Sequence, residues 1–168
     1  DAANAGRHRC ETAGRREGGE AVILKNYTSG VPVSRTVARI EELLAEAGAS
    51  AIGKNYESGR LVALTFQLKI DGRDFLIRLP ANPKPIMDAL AKSLKRPRNG
   101  TIDRLREQAE RTAWRLQEDW LEIELTKINL RQTEPLQAFL AYIWDGERTC
   151  YERLKDTKFR ALLPERTQ

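Results

Sequence analysis

The hydrophobic pattern begins with an extended stretch over 22–33 that leads into a helical repeat. Apolar residues then recur at spacings of three and four, at Val37, Ile40, Leu44 and Ala47. This spacing predicts an amphipathic helix, which Ser34 is placed to cap and Gly48 is placed to end.

Three segments with alternating apolar and polar residues follow, over 51–56, 61–70 and 73–79. Ser58-Gly59 predicts a hairpin between the first two, and Asp71-Gly72 predicts a second hairpin with a two-residue turn. A two-residue turn fixes the register, which predicts an apolar face that pairs Leu68 with Phe75, Phe66 with Ile77 and Leu64 with Leu79. The other face is predicted to be polar and solvated, because it lacks the exposed aromatic residues of a nucleic-acid-reading sheet. Its residues are Lys54, Thr65, Gln67, Lys69 and Arg78.

Helical periodicity returns in the second half of the chain. A short helix is predicted from Ile86 to Leu94 and ends before Pro97, and Thr101 or Asp103 can cap a long helix that runs to about Gln132. The long helix has a main apolar stripe and a second stripe in its C-terminal half. The main stripe is Leu105, Ala109, Ala113, Leu116, Trp120, Ile123 and Leu130, and the second is Trp114, Leu121, Leu125 and Ile128.

The last part of the chain is an apolar segment over 136–144, followed by a break at Asp145-Gly146 and a short helix around Thr149–Lys155. We expect this tail to fold back antiparallel onto the second stripe of the long helix. The predicted class is therefore α+β: a helix, a three-stranded antiparallel sheet, a helix, and a long helix with an apolar C-terminal segment packed on it. Residues 22–168 form one predicted domain, with an αβββα part over 22–100 and a helical part over 101–168.

Residues 1–21 contain no aromatic or branched aliphatic residue and show no periodicity, so they cannot build a core. One hypothesis is that they are the translation of a leader region, because Gly18-Gly19-Glu20 is what a purine-rich ribosome-binding site encodes. Val22 would then be an internally read GTG start codon. The alternative is a natural flexible arm with scattered arginines.

Composition excludes several classes of function. The chain has 168 residues and a net charge of +5, with one histidine and two cysteines. His8 and Cys10 both lie in the first 21 residues, which argues against a disulfide scaffold, a Cys/His zinc site and a Ser-His or Cys-His catalytic pair. No uncharged apolar run approaches the ~20 residues that cross a bilayer. We expect a soluble, non-enzymatic protein without metal or cofactor, located in the cytoplasm of a bacterial host cell.

Positive charge is unevenly distributed. The net charge is 0 over 1–21, +6 over 22–100 and −1 over 101–168. Six cations around Pro97 form the first candidate site, since they could hold a phosphate backbone; the alternative is a solvated surface that complements a helix C-terminus. These residues are Lys92, Lys95, Arg96, Arg98, Arg104 and Arg106.

Three further groups on the long helix and the tail have two interpretations each. Arg104, Gln108, Arg111 and Arg115 could track phosphates, or they could pair with acids on the same helix. Glu118, Asp119, Glu122 and Glu124 could bind a divalent metal, but they lack a nuclease signature after a strand. An aromatic and apolar group could be core or an interface with a protein partner or a second copy. The predicted interface residues are Trp114, Leu121, Leu125, Tyr142 and Trp144.

Four segments carry a resemblance to known proteins. ILKNYTSGVPVSRTVARIEELL, IRLPAN, REQAERTAWRLQEDWLEIEL and LQAFLAYIWDG resemble a family of small uncharacterised proteins of bacteriophages, prophages and mobile elements. The resemblance covers about 22–163, implies a mobile-element setting and supplies no activity or catalytic residue. The order of helix, three strands and helix is also similar to double-stranded-RNA-binding domains. The Lys-rich loop and helix start that contact RNA in those domains are missing, because ANPKPIMDAL stands in their place.

The leading hypothesis is a small accessory protein of a phage or mobile element that binds DNA or RNA through the six cations. The alternative is a protein-binding factor, such as an inhibitor of a host defence nuclease or an assembly component, that uses the aromatic C-terminal surface.

Overall fold

A computed structural model describes residues 25–92 and 100–163. The fold is α+β, as the sequence predicts. Residues 1–21 and the predicted end of the second helix at Pro97 lie outside the described residues. The helices and strands, in chain order, are α1 (Val33–Glu46), β1 (Ala51–Glu57), β2 (Arg60–Ile70), β3 (Arg73–Pro80), α2 (Lys84–Lys92), α3 (Thr101–Asn129), α4 (Pro135–Phe139) and α5 (Cys150–Asp156). Two short 3₁₀ turns follow α4 and α5, at Leu140–Tyr142 and Arg160–Leu162.

The first helix ends where the sequence predicts but starts differently. Pro32, in an extended conformation, precedes α1, and Ser34 lies inside the helix and does not cap it. Proline suits this position because its fixed φ leads into a helix. At the other end Gly48 adopts φ 85°, a left-handed conformation that turns the chain toward β1.

The sheet confirms the predicted register. Its strand order is β1-β2-β3 with both pairs antiparallel, and β2 and β3 make the three predicted apolar pairs. Asp71 and Gly72 both have positive φ, at 50° and 77°, as a type I′ hairpin turn requires.

One face of the sheet packs against α1 and α3, and the large buried apolar residues of the strands are on this face. Lys54 was predicted on the opposite, polar face. It lies on the helix side instead, because it is paired with Leu64, and its Nζ is 2.9 Å from the Glu41 carboxylate of α1. The hydrogen bond to Glu41 raises the pKa of Lys54. The predicted polar face therefore keeps Thr65, Gln67, Lys69 and Arg78.

The long helix uses its two apolar stripes differently from the prediction. Trp114 and Leu121 of the second stripe are fully buried against the sheet, whereas Ile123 and Leu130 of the main stripe are 55% and 64% exposed. Successive residues of an α-helix are 100° apart, so Ile123 points about 200° away from Leu121. The main stripe is buried only near its start, where α2 covers it.

The start of α3 also differs from the prediction. Neither Thr101 nor Asp103 caps the helix: Gly100 occupies the N-cap position, with φ 79° and no side-chain cap.

The tail packs on both α3 and the sheet. Phe139 is 1% exposed and makes edge-to-face contacts with Phe66 of β2, at 5.8 Å between ring centroids, and with Trp120 of α3, at 6.0 Å. Ile143 then forms a bridge with Ile77 of β3. The prediction placed the tail on the long helix alone. The structure shows that it also covers part of the edge of β3, which limits pairing with another chain.

The last helix begins with a capping box. The Thr149 hydroxyl accepts a hydrogen bond from the Glu152 amide at 3.2 Å, and the Glu152 carboxylate accepts one from the Thr149 amide at 2.7 Å. These bonds to the carboxylate lower the pKa of Glu152. In the part of the chain that the structure describes, no helix is both long and apolar enough to cross a membrane.

Phe139 links the sheet, α3 and the tail, so its removal tests the tail's place in the core. We expect Phe139→Ala to lower the free energy of unfolding by about 3–5 kcal/mol, because it leaves a cavity between two aromatic rings. The neighbouring half-exposed Leu140 serves as control, and Leu140→Ala should change stability by less than about 0.5 kcal/mol. Urea denaturation followed by tryptophan fluorescence measures both, and equal effects would contradict this packing.

Candidate nucleic-acid interface

The helices α2 and α3 form an antiparallel hairpin that brings the described part of the basic cluster together. Gln117 of α3 donates a hydrogen bond to the Pro80 carbonyl at 2.8 Å, whereas Ile86, six residues further along, packs against Ala109 and Ala113. The chain of α2 therefore runs toward the start of α3. The last residue of α2, Lys92, therefore lies near the start of α3. We call residues 92 and 100–106 the α2–α3 corner.

The corner does not hold its cations on a single face. Arg104 and Arg106 are two residues apart on α3 and so point to nearly opposite sides. Arg106 lies 3.5 Å from Asp103, while Lys92 and Arg104 are exposed and make no ion pair with any residue that the structure describes. The other three predicted cations, Lys95, Arg96 and Arg98, lie outside the described residues.

The predicted arginine row on α3 is used to hold another part of the chain. The side-chain amide of Gln108 donates hydrogen bonds to the carbonyls of Tyr27, at 2.5 Å, and Ser29, at 3.2 Å. Arg111 in turn donates to the Gln108 amide oxygen at 2.7 Å. This part of the row therefore binds the segment 25–29, which we call the N-terminal strap. The sequence offered no signal for this contact, because it joins polar residues about 80 positions apart.

The strap is anchored most firmly at Asp119. Its carboxylate lies 2.6 Å from the Lys25 ammonium and accepts a hydrogen bond from the Asn26 amide at 2.9 Å, with Arg115 at 3.6 Å. Burial opposes ionisation of this carboxyl. The hydrogen bonds from Lys25 and Asn26 and the nearby charges outweigh burial, so the pKa of Asp119 lies below its ordinary value of 3.8.

Three of the four acids in the predicted carboxylate group, Glu118, Asp119 and Glu124, are likewise engaged in ion pairs, and Glu122 forms none with the residues that the structure describes. Glu118 is buried and accepts a hydrogen bond from Arg115 at 2.8 Å, and Glu124 pairs with Lys127 at 2.9 Å. Over residues 25–92 and 100–163, no group of three or more histidine, cysteine or acidic residues is placed to hold a metal ion.

The predicted partner interface divides into core and half-buried residues. Trp114, Leu121 and Leu125 belong to the core, covered by the chain's own sheet and tail. Tyr142 packs on Trp120 with ring centroids 5.1 Å apart, and the Arg78 guanidinium lies 5.7 Å from the centre of the Trp144 ring. These five residues form no common open surface, because the sheet and the tail bury the first three.

No family model matches this chain, and no curated protein or solved structure is similar enough to it to count as a match. The resemblance to phage proteins therefore stays a prediction.

The contacts of Asp119 with the strap should stabilise the fold in a pH-dependent way. We expect Asp119→Asn to lower the free energy of unfolding at pH 7 by on the order of 1–2 kcal/mol, because a charge-assisted contact to the strap is lost. The pKa of Asp119 is lower in the folded chain than in the unfolded chain. The carboxylate therefore adds its full stability above the pKa of the unfolded chain, and this stability is lost as pH falls through the pKa of the folded chain. The difference between wild type and variant should therefore shrink below about pH 4.

Chemical denaturation at pH 7 and pH 3 measures this difference. The control is Glu107→Gln, which affects an exposed carboxylate 3.8 Å from Arg111 and should change stability by less than about 0.5 kcal/mol. A stability gap between wild type and Asp119→Asn that is the same at both pH values would show that the carboxylate charge does not hold the strap.

Proposed function

We propose that this protein is a non-enzymatic accessory protein that binds the phosphate backbone of nucleic acid at the α2–α3 corner. The observation that carries the proposal is the concentration of charge. Residues 92–106 contain six cations and one acid, a net +5 that equals the net charge of the whole chain. Clustered cations of this kind bind nucleic acid by releasing counterions from its backbone.

The shape of the corner supports the same function. Arg60, at the start of β2, pairs with Glu110 of α3, so that end of the sheet lies level with Glu110. The preceding residues of α3, from Thr101, extend about 13 Å past this level, at 1.5 Å per residue. The hairpin formed by α2 and α3 can therefore reach a phosphate backbone without interference from the sheet.

Ion pairing separates the corner from the other basic residues of α3. Arg111 forms an ion pair with Glu107, and Arg115 forms ion pairs with Glu118 and Asp119, so both arginines have acidic partners on the same helix. Lys92 and Arg104 are exposed cations without an acidic partner among the described residues. Phosphate contacts fix position without reading bases, so we expect binding that depends weakly on sequence.

The test is the salt dependence of binding to a 20-base-pair duplex of mixed sequence, measured by fluorescence anisotropy. We expect the variant Lys92→Glu/Arg104→Glu to bind more weakly at low salt. The slope of log affinity against log salt should fall by about 2, roughly one for each lost phosphate contact.

The matched control is Arg35→Glu/Arg73→Glu, which changes the net charge equally at two exposed positions on α1 and β3. This control should keep most of the wild-type slope. Absence of binding by the wild type at 50 mM salt, or an equal loss in the control, would overturn the proposal.

A further inference from the structure

An exposed aromatic pair lies near the C-terminus, far along the chain from the α2–α3 corner. Tyr151 of α5 and Phe159 pack with ring centroids 5.9 Å apart and ring planes inclined by 51°. Tyr151 is 51% exposed, and Phe159 is half-buried behind it. One aromatic ring is therefore held in place by a second while much of its surface stays open to solvent.

The local backbone is built to hold this pair. The capping box at Thr149 fixes the start of α5, and the chain reverses at Lys158 and Phe159, which both adopt the left-handed conformation with φ 51° and 56°. The Phe159 amide donates a hydrogen bond to the Leu154 carbonyl at 2.8 Å, which closes the turn. This reversal returns Phe159 to Tyr151, and non-glycine residues adopt such a conformation only where the surroundings enforce it.

Three cations lie close to the aromatic pair in the chain. Lys155 follows Tyr151 by one helical turn, and Lys158 and Arg160 flank Phe159 in the chain. All three are exposed, and within the described residues none of them makes an ion pair. An open depression of about 410 Å³ lies beside them, lined by Asp156, Thr157, Lys158, Arg160 and Ala161.

The acids nearby are already paired with other residues. Asp156 forms an ion pair with Arg148, and Asp145 forms one with Arg153. The charges of Lys155, Lys158 and Arg160 are therefore left available to an external anion.

We propose that this surface, made by Tyr151, Lys155, Lys158, Phe159 and Arg160, binds single-stranded nucleic acid. A base stacks on the open face of Tyr151, and the adjacent phosphates contact the three cations. Aromatic rings flanked by cations are the combination with which proteins bind single strands, because every base offers a π face and every nucleotide carries a phosphate. A base inside a duplex cannot reach Tyr151, so the surface favours single strands over duplexes.

This surface is independent of the α2–α3 corner. Residues 92 and 100–106 contain no aromatic side chain, so the corner can offer phosphate contacts but no stacking. The experiment therefore has to separate loss of stacking from loss of charge.

The probe is a fluorescein-labelled oligothymidylate of 15 nucleotides, and the variants are Tyr151→Ala and Tyr151→Phe in the full chain. We expect Tyr151→Ala to weaken binding about 5- to 100-fold, as loss of one stacked base does. Tyr151→Phe keeps the ring and should bind within about twofold of wild type. Lys158→Glu/Arg160→Glu should weaken binding and reduce its salt dependence. Circular dichroism confirms that each variant is folded.

Photo-crosslinking locates the contact directly. An oligonucleotide that carries 5-iodouracil should form its adduct on Tyr151 or Phe159, as mapped by mass spectrometry. Equal affinities of Tyr151→Ala and Tyr151→Phe, or adducts only on other parts of the chain, would overturn the proposal. The proposal would also be overturned if polyglutamate competed as well as unlabelled oligothymidylate. The surface would then be a general site for acidic polymers or acidic peptides.

Single-strand binding at Tyr151 can be tested separately from duplex binding at the α2–α3 corner. Lys92→Glu/Arg104→Glu should weaken duplex binding and leave the difference between Tyr151→Ala and Tyr151→Phe on the single strand unchanged. If Tyr151→Ala and Tyr151→Phe bind the single strand equally while Lys92→Glu/Arg104→Glu still weakens duplex binding, the single-strand surface is refuted and the proposed function is not.

Discussion

The packing of the apolar sheet face against α3 is the contact on which the rest of the structure depends. Trp114 and Leu121 of α3 are fully buried in the same core as Phe66 of β2. Most other parts attach to α3: α1, the strap, α2 near its start, and the tail through Phe139 and Trp120. The last helix, α5, packs on the 3₁₀ turn Leu140–Tyr142. Burial of large apolar side chains at one helix thus positions the α2–α3 corner directly and the surface around Tyr151 through the tail.

The sequence predicted local features of the fold well and the long-range ones less well. The register between β2 and β3 was predictable because a two-residue turn leaves one pairing that buries Phe66 and Ile77 together. The buried side of α3 was not, because the helix has apolar residues on two sides and the sequence does not state which side meets the sheet. The exposed Ile123 and the buried Leu121 show the consequence. The strap was missed because polar contacts between distant residues leave no periodic signal.

The same limit applies to the candidate sites. A cation is a useful sign of a binding site only if it has no acid beside it in the fold, and sequence shows only the acids nearby in the chain. Lys54 looked like part of a polar sheet face, but it pairs with Glu41 on α1. Arg115 looked like part of a phosphate-tracking row, but it pairs with Glu118 and Asp119.

Nearby groups of other types make the open sheet face a weaker candidate for binding than the two proposed surfaces. On that face Lys69 lies directly opposite Asp74, and the charge of Arg78 is shared with the Trp144 ring and with Glu152, whose pKa it helps to lower. The two proposed surfaces are the α2–α3 corner, where Lys92 and Arg104 are exposed and have no acidic partner among the described residues, and the surface around Tyr151. One of these surfaces offers charge alone and the other offers charge beside an exposed ring. Because counterion release depends on charge and stacking depends on the ring, the two surfaces differ in chemistry as well as in position.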